Sequence, residues 1–268
     1  MNETRNLAVF CDFENVALGV RDAKYEKFDI GRVLEKLLLK GSIVVKKAYC
    51  DWDRYKEFKT TMHAAAFELI EIPHRGQSGK NSADIRMVVD ALDLCYTKGH
   101  VDTFVIVSGD SDFSPLVSKL RENAKTVIGV GVKNSSSDLL IANCDEFIYY
   151  DDLVREDEAK RRAAKKRRET RPAGAPKDAA PTDDKKQEAF DLVIETLQAL
   201  IAERGEDEKI WGSMVKQALK RRKPGFNESY YGFKAFSDLL EDAEKRKLVT
   251  LERDEKSGGY IIRPANGA

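Results

Sequence analysis

Three aspartates follow two apolar segments of the chain, at the points where those segments end. Asp12 closes the run LAVFCD, and Asp110 and Asp112 come after TFVIVS, in the sequence SGDSDF. Both runs are rich in Val, Ile and Phe, which is typical of strands that are buried on both faces of a sheet. Because open α/β sheets bind ligands beyond the carboxyl ends of their strands, we predict that the three carboxylates meet in one crevice. Asn15, three residues after Asp12, is expected in the first loop at this edge.

A fourth carboxylate, Asp84, lies near the start of a predicted helix, in SADIRMVVDALDLCYT. Apolar residues at helical spacing predict the packed stripe of this helix. The members of the predicted stripe are Ile85, Val88, Val89, Leu92 and Cys95. Asp84 falls beside the stripe, whereas Asp90 aligns with Arg86 on the opposite side. We therefore predict that Asp84 points towards the crevice and that Asp90 is solvated.

Four inward carboxylates without an arginine partner repel one another, so they cannot all be ionised unless a cation is present. Mg²⁺ or Mn²⁺, which prefer oxygen ligands, would relieve this repulsion, hold a phosphate and lower the pKa of a bound water. The sequence therefore predicts a divalent-metal site built from Asp12, Asp84, Asp110 and Asp112. The alternative for any one aspartate is helix capping, which is common directly after a strand and which Asp112 could provide before Phe113.

Strand patterns alternate with helix patterns over the first 150 residues. The predicted strands cover 7–12, 42–50, 66–72, 103–108, 126–131 and 146–150. The predicted helices cover about 29–40, 52–64, 81–97, 113–123 and 136–143. This alternation predicts an α/β fold with right-handed βαβ units and an open, Rossmann-like parallel sheet.

The chain is predicted to contain two domains, residues 1–153 and 187–264, joined by a basic arm and a Pro/Ala-rich linker over 154–186. Residues 155–171 contain nine Lys or Arg and four Asp or Glu, so this stretch either follows a phosphate backbone or forms a solvated helix. In 187–264, three helix patterns precede two strands around a Gly-Gly turn. That order predicts a winged helix-turn-helix domain.

Composition excludes several classes of protein. Lys plus Arg and Asp plus Glu both number 46, so net charge alone favours no partner. No apolar run reaches the length of a membrane span and no secretory signal is apparent, so we expect a cytoplasmic protein without a membrane partner. The four cysteines are far apart, which favours buried thiols over zinc or disulfides. Glycine signatures of nucleotide cofactor sites are absent.

Four ordered segments resemble the NYN domain, a family of PIN-like ribonucleases with a Rossmann-like sheet. They are CDFENV (11–16), KNSADIRMVVDAL (80–92), SGDSDFSPLVSKLRENAKTVIGVG (108–131) and SSSDLLIANCDEFIYYDDL (135–153). The resemblance implies a metal-dependent endoribonuclease that uses Asp12, Asp84, Asp110 and Asp112 with Mg²⁺ or Mn²⁺. Asn15 would hold the phosphate or a ligand carboxylate, and Ser108 would orient a water. At the position of Ala124 the family more often has glycine.

Residues 210–251 and GGYIIRP (258–264) resemble the LOTUS (OST-HTH) winged-helix domain. The resemblance implies binding of RNA, including G-rich or structured forms, or of a protein partner. The basic and aromatic residues expected to contact RNA in this domain are Lys220, Arg221, Arg222, Lys223, Tyr230 and Tyr231. Lys80 and Lys133, near predicted loops of the first domain, are expected to contact neighbouring phosphates.

Three functions remain open at this point. The first is an endoribonuclease acting on single-stranded RNA, with a C-terminal RNA-binding module. The second is an RNA-binding or protein-interaction factor whose nuclease-like domain holds metal but is weakly active or inactive. The third is a nuclease that uses the same metal chemistry on DNA, because phosphoryl chemistry alone does not select the sugar.

Overall fold

A computed structural model of the protein describes residues 5–72, 82–169, 181–205, 208–254 and 258–265. The chain divides into two compact units, Met1–Glu169 and Thr170–Ala268. Within the described residues, no helix combines the length and apolarity needed to cross a membrane. Lys80 lies outside the described residues, so its predicted contact with phosphate stays a prediction.

The first unit is built on a parallel sheet of six strands. They are β1 (Arg5–Asp12), β2 (Gly41–Cys50), β3 (Glu68–Glu71), β4 (Thr103–Val107), β5 (Thr126–Gly131) and β6 (Glu146–Tyr149). Their order is β3-β2-β1-β4-β5-β6, so β1 and β4 are neighbours and Cys11 lies opposite Val107. The predicted fold class is confirmed. The strand order reverses between β1 and β4, which is where open α/β sheets bind ligands.

Seven helices in the described part of this unit connect and cover the strands. They are α1 (Phe13–Asp22), α2 (Ile30–Lys40), α3 (Lys56–Ala64), α4 (Ser82–Thr97), α5 (Ser114–Glu122), α6 (Asp138–Asn143) and α7 (Tyr150–Glu169). The prediction missed α1 and placed Asn15 in a loop. Asn15 instead lies in the first turn of α1, because Asp12 caps this helix directly at the end of β1 and leaves no loop between them.

The two faces of the sheet carry separate apolar layers. Along β1, Leu7, Val9 and Cys11 pack on the side of α1 and α2, and Ala8 and Phe10 pack on the side of α4 and α5. All five side chains are fully buried. This burial on both faces explains why the strand is a continuous apolar run. It also fixes the position of Asp12 at the strand's carboxyl end.

The predicted packed stripe of α4 is right for Val88, Leu92 and Cys95, which contact the core, and wrong for Ile85 and Val89. The buried face consists of Met87, Ala91 and Cys95, spaced four residues apart, whereas Ile85 and Val89 are exposed. Helical spacing identifies apolar faces, but α4 has two of them, and the small Ala91 and flexible Met87 form the one that packs on the sheet. Periodicity cannot distinguish the two faces, since each repeats at three to four residues.

Asp90 is also not solvated as predicted. Its side chain is 12% exposed and accepts hydrogen bonds from the Tyr49 hydroxyl at 2.9 Å and from Arg86 Nε at 3.0 Å. Because Met87 and Ala91 pack on the sheet, and Ile85 and Val89 do not, Asp90 lies over β2. It therefore belongs to a polar network at the flank of the helix.

Within its described residues, the second unit has three α-helices and a hairpin. They are α8 (Pro181–Arg204), α9 (Gly212–Arg222), α10 (Phe236–Lys245), β7 (Val249–Arg253) and β8 (Tyr260–Pro264), with β7 and β8 antiparallel. This is the predicted order of elements. The basic stretch after residue 154 continues α7 to Glu169, and α8 begins within the segment predicted as linker. The domain boundaries themselves remain a prediction.

Ala124 adopts a backbone conformation that alanine disfavours. It follows α5 with a φ of 56°, while the N–H of Lys125 donates to the carbonyl of Leu120 at 3.1 Å. This bond closes a Schellman-type helix end, whose left-handed position glycine normally occupies. Ala66, after α3, has a φ of 57° and is in a similar position. Both alanines therefore carry local backbone strain.

We expect Ala124→Gly to raise the free energy of unfolding of the first unit by about 0.5–1 kcal/mol. Relief of left-handed strain contributes roughly 1–2 kcal/mol, and the greater freedom of glycine in the unfolded chain removes about half of that. Urea denaturation measures the change. Ala64→Gly, at an exposed helical alanine of α3, is the matched control and should destabilise the unit. Equal effects of the two substitutions would show that Ala124 is not strained.

Candidate active site

Asp12 is a buried carboxylate at the end of the central strand β1. It is 7% exposed; its Oδ2 accepts a hydrogen bond from Ser108 Oγ at 2.9 Å and its Oδ1 accepts one from the Asn15 N–H at 3.4 Å. Burial, assisted by the charges of Asp84 and Asp110, raises the pKa of Asp12 from 3.8 to about 7, although the two hydrogen bonds oppose the shift. Removal from water is thus the dominant influence on this group.

Ser108 and Asn15 join the end of β4 to the start of α1. Ser108 is fully buried, and its hydroxyl donates to Asp12 and accepts the N–H of Asp110 at 3.2 Å. Asn15 Oδ1 accepts the N–H of Gly109 at 2.9 Å. Ser108 therefore orients Asp12 directly, and its predicted role in orienting a water stays a prediction. Both residues hold a carboxylate at the point where the strand order reverses.

Asp84 approaches the same point from the first turn of α4. It is half-buried, and its pKa is raised to about 6, first by burial and then by the negative charges of Asp110, Asp112 and Glu14. Although only part of the predicted stripe of α4 packs against the core, the half-buried Asp84 points inward, since it precedes the buried Met87 by almost one turn. The structure thus brings carboxylates from β1, α4 and the β4 loop within electrostatic range of one another.

Asp110 and Asp112 lie in the segment that follows β4. Asp110 is partly buried, and its Oδ1 accepts the N–H of Asp112 at 2.9 Å, which caps the short 3-10 helix Ser111–Phe113. Capping therefore occurs at this segment, but Asp110 provides it, whereas Asp112 is exposed. A cap uses one carboxylate oxygen, so the second oxygen of Asp110 can still bind a ligand.

Glu14 is an acidic neighbour that sequence reasoning missed. It lies in the first turn of α1, contributes to the raised pKa of Asp84, and forms an ion pair with Arg54 at 3.2 Å. Its position two residues after Asp12 in the motif DFEN was the available signal. Once residues 13–22 are known to be helical, Glu14 falls at the helix end that faces the crevice.

The donor chemistry of the site fits a hard divalent cation. The neighbouring charges that raise the pKa of Asp12 and Asp84 are all negative. Within the described part of the chain, no three Asp, Glu, His or Cys side chains are already close enough together to ligate one ion. Mg²⁺ is commonly held by one or two carboxylates and several waters, so a set of desolvated carboxylates near one point suits it.

Lys133 lies at the same edge of the sheet as the aspartates. It is exposed and begins the 3-10 helix Lys133–Ser135, which follows β5. A Cβ atom on Gly109 would overlap the carbonyl oxygen of Ser135, so the loops after β4 and β5 are in close contact. Lys133 is therefore near the crevice, and its contact with phosphate stays a prediction.

The six residues predicted to bind RNA in the second unit divide into two groups. Arg222 is largely buried, with hydrogen bonds to Glu195 at 2.8 Å and Thr196 at 3.4 Å, and Tyr231 is buried against Phe226. These two side chains stabilise the unit itself. The exposed members are Lys220, Lys223 and Tyr230, and Arg221 is partly buried.

Lys185 joins this surface although sequence reasoning missed it. Its Nζ lies 4.5 Å from the centre of the Tyr230 ring, a cation–π contact across α8 and the segment after α9. Residue 185 fell in the predicted linker, which hid its proximity to Tyr230. The exposed basic and aromatic surface therefore includes part of α8.

Comparison with protein families agrees with both units. The NYN domain model matches residues 6–151, which hold the sheet and the four aspartates. The OST-HTH/LOTUS domain model matches residues 190–261. The two resemblances drawn from the sequence motifs are confirmed, in the predicted order.

Two similar proteins do not add an activity. An uncharacterized protein of Methanocaldococcus jannaschii is 28% identical over 163 residues, which are 59% of this chain and 63% of that protein, so the chain spans less than two thirds of this relative. The crystal structure of a protein of unknown function from Vibrio parahaemolyticus is 28% identical, with a TM-score of 0.51, and covers 57% of this chain and 97% of its own. Because the NYN model matches more than half of the chain, including its sheet and its carboxylate crevice, the protein belongs to the NYN domain family.

Proposed function

We propose that the protein is a metal-dependent endoribonuclease that cleaves single-stranded RNA at the carboxylate crevice. The observation that carries the proposal is the convergence of Asp12, Asp84 and Asp110 where the strand order reverses, with the pKa of Asp12 and Asp84 raised by burial and mutual repulsion. The NYN family lies within the PIN-like nuclease superfamily, which supports a hydrolase acting on RNA. The metal and the cleavage are the new elements of the proposal.

The residues that would hold Mg²⁺ or Mn²⁺ are Asp12, Asp84, Asp110 and Asp112. When bound, the ion supplies charge neutralisation for a phosphate and a water of lowered pKa. Ser108 fixes the rotamer of Asp12, and the N–H of Asp112 fixes that of Asp110. Both fixed carboxylates retain oxygen lone pairs for a ligand.

Polar groups around the four carboxylates would position the substrate. Asn15 Nδ2 makes no hydrogen bond within the described residues, since only Oδ1 is engaged, so this amide can donate to a phosphate oxygen. Lys133 offers a cation at the same edge of the sheet. Ser108, fully buried, acts on Asp12 and not on the substrate.

The metal-free protein should lose stability as pH rises, in a manner that depends on Asp12. Since its pKa is raised to about 7 in the folded state, the carboxyl stays protonated where the unfolded chain has released its proton. Its contribution is therefore fully present below about pH 4 and is lost as pH rises through 7. We expect Asp12→Asn to raise the melting temperature of the first unit by about 2–4 °C at pH 8 in chelator, with no gain near pH 4.

Differential scanning calorimetry measures this effect, with Asp22→Asn as control because Asp22 is an exposed aspartate that pairs with the adjacent Arg21. Millimolar Mn²⁺ should stabilise the wild type by mass action and leave Asp12→Asn nearly unchanged. A wild-type transition that Mn²⁺ does not move would count against the metal site.

Cleavage tests the central proposal. With Mn²⁺ and a labelled single-stranded RNA, we expect Asp12→Asn, Asp84→Asn and Asp110→Asn each to lower the cleavage rate by about 100-fold or more, because each removes a charge from the metal site. Ser108→Ala should lower it by about 10–100-fold through misorientation of Asp12. Chelator should abolish cleavage, and Asp22→Asn should retain it.

The same assay separates the alternatives. RNA that binds but stays intact with every metal would identify a binding factor with an inactive nuclease-like domain. Cleavage of DNA of the same sequence at an equal rate would show that the protein is a nuclease without a preference for RNA. Full activity of Asp12→Asn or Asp110→Asn in a contaminant-free preparation would refute the proposed mechanism.

We further propose that the second unit binds RNA, including G-rich or structured forms, through Lys185, Lys220, Lys223 and Tyr230. These exposed cations and a ring suit phosphate contact and base stacking. Tyr230→Ala should weaken RNA binding by about 10-fold, and Lys220→Glu with Lys223→Glu should reduce its salt dependence.

Fluorescence anisotropy with labelled RNA measures both effects. Lys245→Glu, at an exposed lysine in the last turn of α10, is the matched control. Unchanged RNA affinity in the Tyr230 and lysine variants would instead identify the second unit as a protein-interaction module.

A further inference from the structure

Helix α4 carries an apolar stripe on the face opposite its packed one. Ile85, Val89 and Tyr96 are 62%, 55% and 65% exposed, and Leu92, at the edge of the stripe, is half-buried because it also packs against the core. Their spacing of four, three and four residues places all of them on one side of the helix. This is the spacing by which one helix packs against another.

The stripe is unusual among the exposed side chains of the described residues. The large apolar residues found exposed in the described residues number six: Val44, Ile85, Val89, Tyr96, Leu139 and Tyr230. Three of the six lie on α4. Isolated exposed apolar residues are common on protein surfaces, but a contiguous apolar patch marks an interaction site.

We infer that α4 forms a homodimer contact, in which the stripe packs antiparallel against the same stripe of a second copy of this chain. In an antiparallel arrangement about a two-fold axis, Ile85 meets Tyr96 of the second copy and Val89 meets Leu92. The stripe is symmetric about the point between residues 90 and 91, so both pairings occur twice. Such self-complementarity is what an isologous interface requires.

Charges beside the stripe favour the same arrangement. Arg86 and Asp93 are seven residues apart and so lie on one flank of the stripe, and both are exposed. In antiparallel helix pairs like flanks face each other, so Arg86 meets Asp93 of the second copy on each side of the axis. A parallel pair would set this flank against the opposite one and lose both ion pairs. Arg86 already contacts Asp90, but its side chain is 57% exposed and can reach a second carboxylate.

The size of the stripe sets the strength of the contact. Four apolar side chains from each copy form an interface at the low end of specific contacts, below about 1,200 Å² in total. We therefore expect a reversible dimer with a dissociation constant in the micromolar range. This inference does not depend on the proposed nuclease activity.

Sedimentation velocity of the full chain tests the inference between about 1 and 100 µM. The wild type should shift from monomer to dimer over this range, and Val89→Glu should remain monomeric. Leu139→Glu, at an exposed apolar residue of α6, is the matched control and should dimerise normally. Unchanged circular dichroism and melting temperature would show that the variants are folded.

A charge exchange tests the antiparallel geometry. Asp93→Arg alone should weaken the dimer, and combining it with Arg86→Asp should restore the dimer, since the flanking pairs are then re-formed with reversed sign. A monomer at every concentration, or a dimer that Val89→Glu leaves intact, would overturn the inference. If Val89→Glu is monomeric but the double variant does not dimerise again, the antiparallel arrangement is overturned.

Discussion

The desolvated carboxylate of Asp12 is the constraint around which the first unit is organised. Five fully buried residues of β1 deliver it to the end of the central strand, and the Ser108 hydroxyl and the Asn15 N–H hold it there. A carboxylate in this position is costly to ionise without a compensating cation. The fold thus places at its centre a group that destabilises the metal-free protein at neutral pH and above.

The order of the strands brings the other polar residues of the site next to Asp12. Because the order of strands reverses between β1 and β4, the first turn of α1 and the loop after β4 face each other at the carboxyl ends of these strands, where the N–H of Gly109 donates to Asn15 Oδ1. The close approach of Gly109 to Ser135 then fixes the β4 loop against the β5 loop. Asp84 completes the group from α4, whose first turn reaches the same gap.

Helix α4 has two apolar faces. Its packed face, Met87, Ala91 and Cys95, anchors the helix to the sheet and so positions Asp84. Its outer face is apolar as well, which a helix covering a sheet does not require. The proposed dimer contact would remove this face from water, which is favourable for aligned apolar side chains.

By itself the sequence determined the alternation of strands and helices, the two resemblances and the aspartates that lie at strand ends. Each depends on local pattern: buried parallel strands are continuous apolar runs, and a residue after such a run lies at the sheet edge. Tertiary structure decided which apolar face of α4 packs, that Asp90 is bonded, that residues 13–22 are helical and that Arg222 and Tyr231 are held inside the second unit. It also placed Glu14 beside the carboxylates of the crevice and Lys185 in the exposed basic and aromatic surface of the second unit. These depend on which elements become neighbours, and spacing along the chain carries no information about the partner that covers a given face.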